Sequence, residues 1–239
     1  MRLRDRLGIG EGRQRQLAWA LEVGLVAMSL LGIVRGRTGI IVNSTVTLAV
    51  TQLPPVLERD LDIPMDPGLV LWITAAVFLH VFGTVRFPGS PATPYQSLWW
   101  YDHLTHALSA SIVAAAGYAS ARAIDEHRTD VYLPPRFTFA FILLFVLAFG
   151  VFWEVVEFAI GGLGTVLGAT VLTQYGLEDT MLDLVFDLAG AVIVATWGGA
   201  RLSDVVEALT AQLDARVQRS GKDRIEGRAV VERRGKRRA

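Results

Sequence analysis

The stretch FTFAFILLFVLAFGVFWEVVEFAI, residues 137–160, decides the fold class. From Phe137 to Trp153 its one hydrophilic side chain is Thr138. Nothing in it alternates with period two, and no polar stripe recurs at helical spacing. As a helix rising 1.5 Å per residue it would extend about 36 Å, enough to cross a bilayer core about 30 Å thick. In hydrocarbon the backbone must satisfy its own hydrogen bonds, so such a run is helical. Two glutamates, Glu154 and Glu157, nevertheless stand near its end.

Working outward, the same reading gives further spans. Asp102–Ala121 precedes it, rich in small residues that allow close helix packing. Asp179–Gly199 follows it, after a glycine-rich stretch, Gly161–Gly176, that is too short and broken for a span and reads as interfacial or re-entrant. Upstream lie Leu69–Val85, the weaker Ile40–Val56, diluted by polar residues and closed by Pro54-Pro55, and Leu17–Val34. The last keeps Arg35 and Arg37 beyond it and lacks a small-residue cleavage site, so it reads as a retained anchor. Between Ile40–Val56 and Leu69–Val85 lies an acidic loop carrying Glu58, Asp60, Asp62 and Asp66. Trp99, Trp100 and Tyr101 mark a headgroup-level aromatic belt. All nine prolines lie outside the last four spans.

The expected architecture is therefore an all-α, polytopic transmembrane helix bundle of about six spans. Residues 1–16 form a basic interfacial N-terminus, 17–200 the transmembrane domain, and 201–239 a soluble tail. In that tail Leu202, Val205, Val206, Leu209 and Leu213 recur at helical spacing ahead of a basic end. Arginines crowd both termini, which places both in the cytoplasm of a multi-pass protein of the cell membrane and agrees with an even number of spans. Arg35 and Arg37 outside, and the acidic loop inside, weigh against that orientation. With 52% hydrophobic residues and no cysteine, an ordinary soluble domain, disulfides and thiolate metal sites are excluded. A net charge of zero points to no nucleic-acid partner, and membrane lipids are the expected surroundings.

The order of spans has a chemical consequence. His80 near the end of the third span, Asp102 and His106 at the start of the fourth, Glu154 and Glu157 near the end of the fifth, and Asp179, Asp183 and Asp187 at the start of the sixth all fall in one leaflet. Asp102 and His106 are i, i+4 and share a face, as do the glutamates at i, i+3. Asp187 lies about 12 Å deeper than Asp179 along the helix. An ionised Asp in mid-span costs roughly 2.5–3.5 kcal/mol, so a stripe of them asks for compensation. Plainer readings stand beside this one. Asp102 and Asp179 serve equally as helix N-caps, His103 as an interfacial residue beside the aromatic belt, and His80 as a polar residue satisfied between helices.

The motifs His80-Val-Phe-Gly83, Tyr101-Asp102-x-x-x-His106, Trp153-Glu154-x-x-Glu157-Phe158 and Asp179-Thr180-x-x-Asp183-Leu184-x-x-x-x-x-Gly190-Ala191, with Thr173-Gln174 ahead of the last, resemble the YjdF-like family of prokaryotic inner-membrane proteins. The resemblance covers roughly residues 45–200. Thr84 stands where that family tends to have a second glycine, and Gly176 where an acidic residue is common. The Asp-x-x-x-His, Glu and Asp order is also similar, more loosely, to VanZ-like membrane proteins. The resemblance implies the fold and the site residues and supplies no reaction.

Imidazole and carboxylate donors without thiolate suit Zn, Mn or Fe. The leading expectation is a divalent metal held among His80, Asp102, His106, Glu154, Glu157, Asp179, Asp183 and Asp187, with Glu154 or Glu157 as ligand or general base. The matching activity is hydrolysis or group transfer on a lipid-linked substrate. A proton or cation path, and a structural protein whose polar residues lock helices together, are the alternatives.

Overall fold

Pro54 cannot donate to Val50 and its ring crowds that carbonyl, so the second apolar segment breaks there rather than running through. In the computed structural model, which describes residues 10–87, 89–128, 130–167 and 176–236, that segment is two helices in tandem. The helices are α1 (Glu11–Val34), α2 (Thr38–Val50), α3 (Leu53–Leu61), α4 (Pro67–Thr84), the single turn α5 (Pro94–Ser97), α6 (Tyr101–His127), α7 (Pro135–Leu167), α8 (Leu177–Trp197) and α9 (Gly199–Lys236). No strand occurs among the described residues. Six stretches are long and apolar enough to cross a membrane: α1, Thr38–Leu61, α4, α6, Pro135–Gly164 and α8. The protein is a polytopic helical membrane protein, as the hydropathy pattern predicts.

Several boundaries differ from expectation. Glu58 and Asp60, expected in a loop, belong to α3, and the chain turns only at Asp62, whose φ of 47° is left-handed. Asp66 then caps α4 by accepting from Gly68 N at 2.7 Å and Leu69 N at 3.2 Å, with Pro67 in the first turn. The expected break after Ile160 is absent, because α7 continues through Gly161 to Leu167. The remainder of the glycine-rich stretch, 168–175, lies outside the described residues, as do 1–9 with Arg2, Arg4 and Arg6, and Arg237 and Arg238 at the other end.

Two apolar clusters organise the bundle, and α4 belongs to both. On one side Leu25 and Met28 of α1 pack with Val81 and Val85, against Ile40 and Leu48 of α2. On the other Leu69 meets Ala110 and Ala114 of α6, Ile142 and Val146 of α7, Ala191 and Val194 of α8, and Leu202 of α9. The amphipathic stripe expected of a soluble tail is thus partly spent inside the bundle: Leu202 and Val206 are buried where α9 packs on α6. Outward, large apolar side chains stay exposed, such as Phe152, Val155 and Phe158 of α7, which is the arrangement lipid requires.

The tightest junction is that of α6 with α8. A Cβ on Gly190 would overlap the Ala107 carbonyl oxygen and come within 3.2 Å of Ser111 N. Backbone lies against backbone there, and neither side can yield as a flexible side chain would. Gly190→Ala is therefore expected to lower the melting temperature in detergent, by overpacking worth roughly 1–3 kcal/mol. Gly12→Ala, whose added methyl meets nothing within 4 Å, is the control and should leave it unchanged or raised.

Candidate functional site

Four helices deliver ionisable side chains to one end of the bundle: α4 from its last turns, α6 and α8 from their first, and α7 from its second half. Contact between α6 and α8 brings histidines against aspartates. His103 Nδ1 lies 3.0 Å from Asp183 Oδ1, and both side chains are buried. One turn on, His106 Nδ1 lies 3.3 Å from Asp187 Oδ1. The other face of that ring looks between two more carboxylates, with Nε2 3.8 Å from Asp102 Oδ1 and 3.8 Å from Asp183 Oδ2. From α7, Glu154 accepts a hydrogen bond from Thr180 Oγ1 on Oε2 at 2.8 Å, while its buried Oε1 has no partner among the described residues.

Two donor triads result, each with its atoms within 4.8 Å of one another: Asp102, His106 and Asp183, and His106, Glu154 and Glu157. His106 belongs to both. No arginine or lysine pairs with Asp102, Glu154, Glu157, Asp183 or Asp187 among the described residues. Asp183 and Asp187 face imidazoles, and Glu154 a hydroxyl. Gly150 makes room for Asp187, since a Cβ there would overlap Asp187 Oδ2.

Of the eight residues expected to share a site, five fall in the triads: Asp102, His106, Glu154, Glu157 and Asp183. Asp187 stands behind His106 rather than beside the other donors. Asp179 lies in neither triad. His80 is also outside both; its Nδ1 is 2.9 Å from the Tyr95 hydroxyl and its ring meets Trp153 edge-on at 6.3 Å. That arrangement matches the satisfied interhelical histidine. The N-cap reading of Asp102 and Asp179 is overturned, because the caps are Trp100 and Gly176 and both aspartates lie within the helices.

His103 corrects the sequence reading most. Expected at the interface beside the aromatic belt, it is buried and stacked on Phe186, with centroids 4.8 Å apart and planes 9° from parallel. Its neighbour Asp102 points 100° away around α6, so adjacent residues serve different helix gaps. Two other participants were passed over. Thr180 was visible inside the Asp179-Thr180-x-x-Asp183 motif. Tyr95 carried no signal, lying in a proline-rich loop, yet α5 folds it inward over Gly83, where a Cβ would overlap its ring. Burial pushes the Tyr95 hydroxyl well above its ordinary pKa, so it stays a neutral partner for His80 and, at 3.3 Å, for Thr105 Oγ1.

Residues 17–204 match a family described as predicted membrane proteins (DUF2238). The chain belongs to this family. This membership and the six apolar helices are consistent with the YjdF-like resemblance read from the sequence. The chain is also similar to a Thermotoga maritima sequence described as an uncharacterized protein, 30% identical over 125 residues. The matched stretch is 52% of this chain and 58% of the relative. No solved structure matches.

The His103–Asp183 contact can be tested alone. If the two side chains stabilise each other across α6 and α8, His103→Ala and Asp183→Ala should be non-additive in an unfolding titration. A coupling of about 0.5–3 kcal/mol is expected, the usual range for side chains in direct contact. Additive losses would mean that the two do not meet.

Proposed function

We propose that the cluster holds a divalent transition metal, of the Zn, Mn or Fe class, and that the protein is a membrane-embedded hydrolase or group transferase. The observation carrying this reading is the double engagement of His106. An ionised Asp187 can only accept, so a hydrogen bond to it requires the proton on Nδ1, which leaves the lone pair on Nε2. That lone pair points between Asp102 Oδ1 and Asp183 Oδ2, each 3.8 Å away. These distances are too long for hydrogen bonds. They lie a few tenths of an ångström above the roughly 3.4 Å separating ligands of a tetrahedral ion with bonds of about 2.1 Å. A carboxylate behind a ligating imidazole is the usual outer partner in zinc sites.

In this reading Asp102, His106 and Asp183 hold the ion. His103 fixes Asp183 through Oδ1 and leaves Oδ2 free for it. Glu154 and Glu157, which form the second triad with His106, would serve as a further ligand and as the base for a bound water. The ion would supply an acidified water and a Lewis acid for an acyl or phosphoryl oxygen. His106 and Asp102, near the start of α6, and the glutamates of α7 gather at one end of the bundle, so the substrate class that suits them is a lipid-linked molecule with a polar head.

The structural alternative draws on the His103–Asp183 and Thr180–Glu154 hydrogen bonds, which lock helices without any ion. Melting separates the two. Binding to the native state stabilises by mass action, so EDTA should lower the melting temperature of wild type and Zn or Mn should restore it. His106→Ala should abolish that response while the protein still folds. An EDTA-insensitive wild type would favour the interhelical lock.

A further inference from the structure

Two arginines, Arg35 and Arg86, form no ion pair with the site's carboxylates among the described residues. Arg35 is the C-cap of α1, and Arg86 lies two residues beyond α4. Helices α1 and α4 run in the same direction, because the tandem α2–α3 returns the chain between them, so both arginines emerge at the same end. Both are exposed, and neither pairs with a carboxylate among the described residues.

Between them opens a groove of about 360 Å³ bounded by Ala27 and Leu31 of α1 and by Phe78 and Phe82 of α4. Its lining is apolar apart from Arg35 and Arg86 at the rim. Gly24 shapes its floor, since a Cβ there would come within 2.8 Å of the Phe78 ring. Phe78 and Phe82, which stack at 5.8 Å, are each two residues from His80 and so point to nearly the opposite side of α4. The groove is separate from the ionisable cluster.

We infer that this groove binds one phosphate-bearing anionic phospholipid, its acyl chain along Phe78 and Phe82 and its phosphate between Arg35 and Arg86. The groove holds several times the ~30 Å³ share of one water, and an apolar lining does not retain water. Hydrocarbon fits it. Two guanidiniums at one end match a phosphate diester, which accepts paired N–H donors and is held more firmly by two arginines than by one. Cationic residues at helix ends are favoured by the carbonyl dipoles there, which accounts for each arginine singly but not for their convergence on one apolar groove. Basic pockets between transmembrane helices are a known way of holding anionic headgroups.

The test is native mass spectrometry of the full chain, delipidated in mild detergent and offered equimolar phosphatidylglycerol and phosphatidylcholine of matched chains. Wild type should retain a single phosphatidylglycerol, with a preference of about tenfold or more. The R35Q/R86Q double variant, both positions being exposed, should fold normally and lose that preference. R35K/R86K, which keeps charge but not paired donors, should fall between. Ala27→Phe should reduce retention of both lipids by filling the groove. Millimolar inorganic phosphate should not displace the lipid; if it does, the site is one for free phosphate and the proposal fails. It also fails if wild type shows no preference, or if R35Q/R86Q keeps it. His106→Ala should bind phosphatidylglycerol like wild type, so this result stands or falls apart from the metal reading.

Discussion

Everything at the candidate site depends on the approach of α6 to α8, where Gly190 lies directly against the Ala107 carbonyl. A helix pair at that separation has no room for large side chains along the seam, and the small residues Ala107, Ala110, Ser111 and Ala114 on α6 meet the need. One to two turns towards the nearer helix ends, the same closeness sets His103 against Asp183 and His106 against Asp187. Packing at the apolar seam therefore fixes the geometry of the polar end. In lipid this coupling carries more weight than in a soluble bundle, because no hydrophobic driving force separates helix contact from lipid contact and close van der Waals packing takes its place.

A second constraint is charge. The buried carboxylates gather where no guanidinium among the described residues pairs with them. Of the four helices that meet there, α6 brings histidines and α8 aspartates, and the two sets interleave. Glu154 completes the enclosure from α7 with one oxygen held by Thr180 and the other without a donor among the described residues. An unpartnered, deeply buried carboxylate oxygen is costly to keep. In a cluster whose other members are spaced like metal donors, the proposed cation would resolve that cost, and a shared proton is the competing solution.

The fold was largely legible in the sequence because transmembrane helices declare themselves through length and apolarity alone, and five of the six spans did so. The weakest, diluted by Asn43, Ser44 and Thr47, was still recognised; those residues face inward, where Ser44 Oγ donates to Ser29 Oγ at 2.9 Å. Membership of the site was legible for residues on the spans, since span order alone assigns a leaflet. Roles within it were less so. His103 and Asp102 are adjacent in sequence, and only the neighbouring helices decide which one is buried against Asp183. Tyr95 enters from a turn that closes over Gly83 and begins at Pro94, and no periodicity encodes that. Asp187 was grouped with the ligands by its stripe, whereas its depth puts it behind the imidazole.

The central claim is that His106 and its carboxylates hold a metal ion. X-ray absorption spectroscopy on tag-free protein, purified without added metal and quantified by elemental analysis, tests it most directly. The account predicts near-stoichiometric Zn, Mn or Fe in a shell of nitrogen and oxygen at about 2.0–2.2 Å, with imidazole scattering and no sulfur. Protein that is folded and carries no stoichiometric metal, or whose metal persists unchanged in His106→Ala, would contradict it.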